Sequence, residues 1–519
     1  MSTTLEHPQL GHVAGIKHGN VLRFLGIQYA TLENRFAQAK LVVNNQKGGK
    51  FDKHGPTAVM MDNACQTEHM FIQKSLPYTP VKSSDTDCLN LDINMPTTDK
   101  TGLPVFVFIH GGGFALGSNA WPQYDLAAFV GRSVERGTPV IAVGINYRLG
   151  VFGFLASQEL LDAGIDANRG LKDQLVALEW IHKNIAGFGG DPENVTVAGE
   201  SAGAISALIH ACRSDRLFRR VMSMGGTPLL MSPISQAFAD NIYASVTKQL
   251  DLHDMGAQER INALLAIDKA DVVSKVSPST PFLPVLDRDI VPLDYSFEKL
   301  STNFTNSTCD LLIGDCGFDS SILFYMLHDR LPTLVSDFVK STERSLAKYP
   351  DVRSALLDGY RIGNEDTPEN LQRVLEFGHD ICFYAPVVEI AKTWPQSAYV
   401  FHFNENNPWD GQWKGFSTHI LDVAFLFLNY QDHLSKEEQE TALAFCDDVL
   451  DFVSGKEAVP RFGKGMEAAK VYGPGDAGSR FVQSTKSEDF GRRPLVYEMA
   501  KKTGLDVLLQ AWKTFMAGM

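Results

Sequence analysis

Apolar and polar positions along the chain divide it into stretches of different texture. The first part carries short β signals, NVLRFLGIQYA and later CLNLDINMP. From Leu103 the pattern shifts to apolar runs bounded by glycines. PVFVFIHGGG and PVIAVGINYRLG are continuous in Val, Ile and Phe rather than alternating, which predicts strands buried on both faces. Between them QYDLAAFVGRSVERG has helical spacing and ends at Gly137. NRGLKDQLVALEWIHKNIAGFGGDPENVTVAG then reads as helix, loop and a further strand. Strand–helix–strand repetition implies a parallel sheet with helices on its faces. RVMSMGG, CDLLIGDCG and SAYVFHFN are further strand candidates. A helix-rich stretch runs from Ser235 to about Ile267, and GLDVLLQAWKTFMAGM forms a last helix. No internal repeat, low-complexity tract or long linker interrupts this order, so residues 1–519 read as one domain. Its helical excursions between strands could roof a pocket.

Bulk composition narrows the function. The chain has 519 residues, 44% hydrophobic and 21% charged, as expected of a globule with a large core. A formal charge of −14 argues against nucleic acid and anionic membrane surfaces, both of which need basic patches. No apolar run approaches a membrane span, and the first residues lack a signal peptide's basic and apolar regions. A cytoplasmic protein is expected. Seven cysteines imply no disulfide framework. There is no CxxC, no His-Glu-x-x-His and no phosphate-binding Gly-x-x-x-x-Gly-Lys, so no metal or nucleotide cofactor is called for.

Chemistry concentrates at VTVAGESAGA, where a strand ends on Ser201 held between Gly199 and Gly203 and a helix-like run follows at once. Glycines on either side of a serine suit a turn too tight for Cβ atoms, one that pushes the hydroxyl out at a helix N-terminus. The alternative is an ordinary helix cap. A serine nucleophile needs a base, an acid that orients the base, and donors for an oxyanion. Gly111, Gly112 and Gly113 follow an apolar strand and expose backbone N–H groups, as an oxyanion hole requires.

These motifs resemble the type-B carboxylesterase/lipase family of α/β-hydrolases, which includes the cholinesterases. The matching stretches are FLGIQYA…RF, DCLNLDI, HGGGF, INYRLGVFGFL and the long block from Asn168 to Ala204, with weaker similarity to about residue 430. The resemblance implies a central mostly parallel sheet flanked by helices, with helical insertions over an active-site gorge. It matches Ser201 to the nucleophile and Gly112, Gly113 and Ala202 to the oxyanion-hole amides. Glu200 matches a gorge-facing acid, or is a solvated turn residue. His419, in GFSTHILDVAFLF, matches the base, although Ile420 stands where the family usually has glycine. His402 reads as a structural strand residue and His433 as the start of a surface helix. Cys65 and Cys88 match the family's first disulfide pair, and in a cytoplasmic protein they would be reduced. Phe114, Trp121 and Phe324 are candidates either for an aromatic pocket lining or for plain core.

The acid is the largest departure. LLIGDCGFDSSIL offers Asp315 and Asp319 where the family pattern is Gly-x-x-x-x-Glu-Gly. Aligned on Gly314, the glutamate position falls on Asp319, 118 residues after Ser201 and 100 before His419. Asp315 reads as a strand-end residue capping backbone N–H groups. The expectation is a hydrolase that forms an acyl-enzyme on Ser201 from a small-molecule carboxylic ester, acting without a cofactor as a monomer or homodimer. An acyltransferase, an amidase or a lactone-forming enzyme would use the same residues.

Overall fold

Period-two geometry splits each buried run between two cores. In a computed structural model of the chain, Val105, Val107 and Ile109 point into one apolar cluster while Phe106 and Phe108 point into another on the opposite face. The structure describes residues 2–43, 48–213, 216–457, 459–463, 467–475, 478–486 and 491–518. Within them the main sheet contains β1 (Ser2–His7), β2 (Gly11–His18), β3 (Val21–Gln28), β4 (Asn90–Pro96), β5 (Leu103–Ile109) and β6 (Ile141–Ile145). It continues with β7 (Gly190–Glu200), β8 (Arg220–Met224), β9 (Asp310–Cys316), β10 (Ala398–Phe403), β11 (Ala468–Tyr472) and β12 (Ser479–Gln483). Their spatial order is β1-β2-β3-β4-β6-β5-β7-β8-β9-β10-β11-β12.

From β6 to β11 every neighbouring pair is parallel. Along this order the pairs at both margins are antiparallel, and a two-residue strand, Gly49–Lys50, pairs off it in parallel with β2. The chain therefore has an α/β-hydrolase-like mixed sheet, mostly parallel at its centre. β6 and β10 are buried along their whole length, as uninterrupted apolar runs demand, whereas β2 alternates buried and exposed positions and lies toward the edge. β1, β2, β11 and β12 are not among the strands that the sequence pattern predicts.

Crossover helices cover both faces. Arg169–Asn184 precedes β7, and Ala202–Ala211, buried throughout, follows it directly. Lys436–Val453 starts from a capping box in which Ser435 and Glu438 satisfy each other's backbone N–H. The expected helix-rich insertion between β8 and β9 contains Gln236–Gln249 and Ala257–Ala266. A second insertion, between β9 and β10, includes Pro368–His379, the π-helical turn Asp380–Tyr384 and Ala385–Thr393.

All seven cysteines are free thiols. Cys65 and Cys88 are buried, and burial pushes both thiols up to about 12.

Candidate active site

Parallel strands leave their carboxyl ends along one margin of the sheet, where open α/β sheets assemble their sites. The glycine triplet follows β5, Ser201 follows β7, Gly225 follows β8 and Asp319 follows β9. His419 lies in the loop after β10. That loop is tied to the Asp319 loop by Phe318 N–H donating to the Ser417 carbonyl (2.7 Å) and Gly317 N–H donating to the Phe403 carbonyl (2.8 Å).

The serine turn is as tight as its glycines predict. Ser201 has φ +52° and ψ −119°, sparsely populated for a residue with a side chain. A Cβ on Gly199 would lie 2.2 Å from the Gly203 carbonyl carbon, and one on Gly203 2.0 Å from the Ile109 oxygen. Both contacts are with backbone, so neither can yield. Ser201 N–H donates to the Met224 carbonyl (2.9 Å), which anchors the turn to β8. Helix Ala202–Ala211 starts here with Ser201 at its N-cap, its side chain making no cap hydrogen bond, so the helix's positive end lies beside the serine.

The glycine loop folds over this turn. A Cβ on Gly111 would meet the Glu200 carboxylate at 2.2 Å and Ser201 Cβ at 3.1 Å. Gly112 and Gly113 adopt φ +94° and +59°. Among the described residues the amides of Gly112, Gly113 and Ala202 donate no hydrogen bond, so they are available to an incoming oxygen. His110 fixes the loop's start: its ring stacks on Tyr147 (4.6 Å, 16°), whose hydroxyl donates to the His110 carbonyl (2.9 Å).

Asp319 and His419 meet. His419 Nδ1 lies 2.7 Å from Asp319 Oδ1, and Asp319 Oδ2 accepts the Cys316 N–H at 2.7 Å. The His419 N–H donates to Ser321 Oγ (3.0 Å). With Nδ1–H on the carboxylate, Nε2 is left as the basic nitrogen. It lies 3.1 Å from Glu200 Oε1. Among the described residues no hydrogen bond joins Ser201 Oγ to His419, and such contacts are often long before substrate binds. Ile420 occupies its expected glycine position at φ +71°, a left-handed conformation strained for a β-branched residue, so the loop keeps a glycine-like path.

Glu200 is fully buried and is not the solvated turn residue of the alternative reading. Burial pushes its carboxyl well above the usual range, with Glu68, Asp422 and Asp319 adding to the effect. Burial, then Asp319, raises Asp422 to about 7, and burial raises Glu68 to about 7. Asp422 lies three residues after His419, in the same stretch GFSTHILDVAFLF. Glu68, on helix Ala64–Ile72, carries no sequence signal that links it to the site.

Two expectations, for Phe114 and Asp315, need correction. Phe114 is fully buried against Phe154 (4.6 Å), because its φ of +60° turns it off the loop into the core. It presents no surface to a substrate. Trp121 is almost fully buried and stacked on Tyr124, and it also lines a cavity with Met60, Met61, Cys65 and Tyr78, so both of its readings stand. Phe324 is half-buried on Trp413. Asp315 is not a turn cap: it lies inside β9, fully buried, opposite His402 of β10, and its carboxylate binds His402 Nδ1.

Comparison with known proteins bears on the family and the fold. The model of the carboxylesterase family matches residues 2–460. Para-nitrobenzyl esterase of Bacillus subtilis (strain 168) is 32% identical over 365 residues, 68% of this chain and 70% of that protein. Lipase 2 of Diutina rugosa is 35% identical over 248 residues, 43% of this chain but only 44% of the lipase, so the match spans less than half that relative. Among solved structures, the Geobacillus stearothermophilus carboxylesterase EST55 superposes with a TM-score of 0.71 at 25% identity, covering 95% of this chain and 99% of that one.

Proposed function

This chain belongs to the carboxylesterase family, and from that membership and the geometry of its site we propose that it is a serine-dependent carboxylic ester hydrolase. Ser201 Oγ attacks the ester carbonyl carbon while His419 Nε2 takes its proton. Asp319 holds the Nδ1–H tautomer and stabilises the imidazolium. The carbonyl oxygen becomes an oxyanion received by the amides of Gly112, Gly113 and Ala202. Collapse expels the alcohol, which takes the proton from His419, and leaves an acyl-Ser201 ester. Water then attacks that ester with His419 again as base, releasing the acid and restoring the serine. The observation that carries this reading is the 2.7 Å contact of Asp319 with His419 beside the strained Ser201 turn. Seven free thiols suit a reducing compartment, and a cytoplasmic location is part of the same proposal.

A fluorophosphonate probe and a panel of small p-nitrophenyl esters test it. The wild type should be labelled at Ser201 and release free acid. Ser201→Ala should lose labelling and fall by several orders of magnitude in turnover with its fold intact. Retention of more than a small residue of activity in that variant would remove Ser201 from the role. Transfer of the acyl group to an added amine or alcohol in preference to water would replace hydrolysis with acyl transfer.

A further inference from the structure

Past residue 460, beyond the stretch the family model matches, two consecutive arginines reach carboxylates in the core. Arg493, itself buried, brings Nη1 to 3.6 Å from Asp315 Oδ2, on the strand that ends at the Asp319 turn. The same carboxylate binds His402 Nδ1 and lies 3.4 Å from His379 Nε2. Burial alone would raise the Asp315 carboxyl, but Arg493 and then His402 hold it well below the usual range. Arg492 brings Nη2 to 3.5 Å from fully buried Asp380 and Nε to 3.6 Å from Glu376. The two acids Asp315 and Asp380 thus each receive one guanidinium.

Asp380 opens the π-helical turn Asp380–Tyr384, and the Arg493 guanidinium lies 5.6 Å over the ring of Tyr384, which closes it. The arginine pair therefore grips both ends of this turn. Inside it, Phe383 stacks against His379 (5.9 Å, 12°) and meets the His419 imidazole edge-on (5.8 Å, 63°). A π-turn holds one more residue than the α-helical turn it interrupts, and such turns persist where the surroundings enforce them. Relaxation to α-helical register would swing Phe383 by about 100° around the axis, at 3.6 residues per turn, and take it off His419.

We propose that Arg492 and Arg493 are positioning residues, a latch that sets the Asp319–His419 pair. Arg493 fixes the strand below Asp319, and Arg492 holds the turn whose Phe383 backs the imidazole. The inference rests on the roles given to Ser201, Asp319 and His419 above. It goes beyond them because neither arginine touches the reacting atoms.

The test measures turnover per fluorophosphonate-titrated site in full-length Arg492→Gln, Arg493→Gln and Arg493→Lys. The first two should lose about ten- to a hundredfold in kcat with KM within about twofold, as small misplacements of a catalytic group do. Arg493→Lys, which keeps the charge, should recover most of it. Because Arg493→Gln leaves Asp315 without its guanidinium, the double variant Asp315→Asn/Arg493→Gln supplies a second reading with no unpaired buried charge, and it should show the same per-site loss. Wild-type kcat per titrated site in Arg492→Gln or in the double variant would overturn the latch, even if fewer sites titrate. The wild type is scored in parallel. If it is labelled at Ser201 and the variants turn over normally, only the latch fails; if it is not labelled there, the proposed mechanism fails and takes the latch with it.

Discussion

Two aspartates four residues apart, both fully buried and each against a histidine, invite confusion that geometry resolves. Asp319 lies past the end of β9 and reaches the loop that carries His419, whereas Asp315 lies within the strand and faces β10. Asp319→Asn should lower kcat by about three to four orders of magnitude, since an amide stabilises the wrong imidazole tautomer. Asp315→Asn should instead strand Arg493 beside a neutral group. It should cost about 3–5 kcal/mol of stability, as removing one member of a buried pair does, with only a latch-sized loss of turnover. Turnover per titrated site and chemical denaturation of both variants separate the two, and the reverse ranking would transfer the acid's role to Asp315. Glu68 makes a different residue-level claim. Its carboxyl is raised from 4.5 to about 7 by burial, so the folded state holds the proton more tightly than the unfolded chain. The resulting stability is fully present below pH 4.5 and is lost as pH rises through about 7. Glu68→Gln, neutral at every pH, should exceed the wild type by up to about 3 kcal/mol at pH 8 and match it at pH 4. Equal denaturation midpoints for the two proteins at pH 8 would refute the assignment.

At the level of elements, legibility followed how local each signal was. Ser201, the glycine triplet and His419 each stand in one short motif at the end of an apolar strand, so a linear reading brings them to one margin of the sheet. The glycines of the serine turn were legible because the reason for them is local: backbone passes within 2.2 Å of where their Cβ atoms would be. The parallel centre was legible because burial on both faces leaves uninterrupted Val, Ile and Phe. β11 and β12 were not, because AAKVY and SRFVQ are short and owe their pairing to an existing sheet edge. Asp315 was misread because its partners His379, His402 and Arg493 come from three distant segments and leave no spacing to detect. Phe114 was misread for a related reason. The motif places it beside the oxyanion amides, but its direction depends on a positive φ that only packing against Phe154 reveals. The π-turn stands outside the predicted elements, and its one local signal is Pro386, which lacks the N–H that an α-helix would donate to the Cys382 carbonyl.

Across the whole molecule, the described residues after 460 behave as structural members of the sheet and its flanking layer. β11 pairs with β10 in parallel, extending the same sheet that carries Asp315 and His402. The final helix, Leu505–Met516, inserts Trp512 between Phe338 (6.1 Å) and Phe377 (6.0 Å), with Phe515 at 5.2 Å. Phe377 belongs to the helix Pro368–His379 that runs into the π-turn. The next residue is glycine because a Cβ there would lie 2.5 Å from the indole. The C-terminal segment thus grips this helix at Phe377 and Gly378 through Trp512, and the turn beyond it through the two arginines. If it is integral in this way, it cannot melt before the site does. Trp512→Ala should cost about 3–5 kcal/mol, the usual loss for a buried tryptophan. It should also shift one cooperative transition in which far-UV ellipticity and fluorophosphonate reactivity at Ser201 disappear together. A separate early transition, with reactivity surviving after part of the helical signal is lost, would show instead that the segment folds as an appendage and that the latch is dispensable to the site.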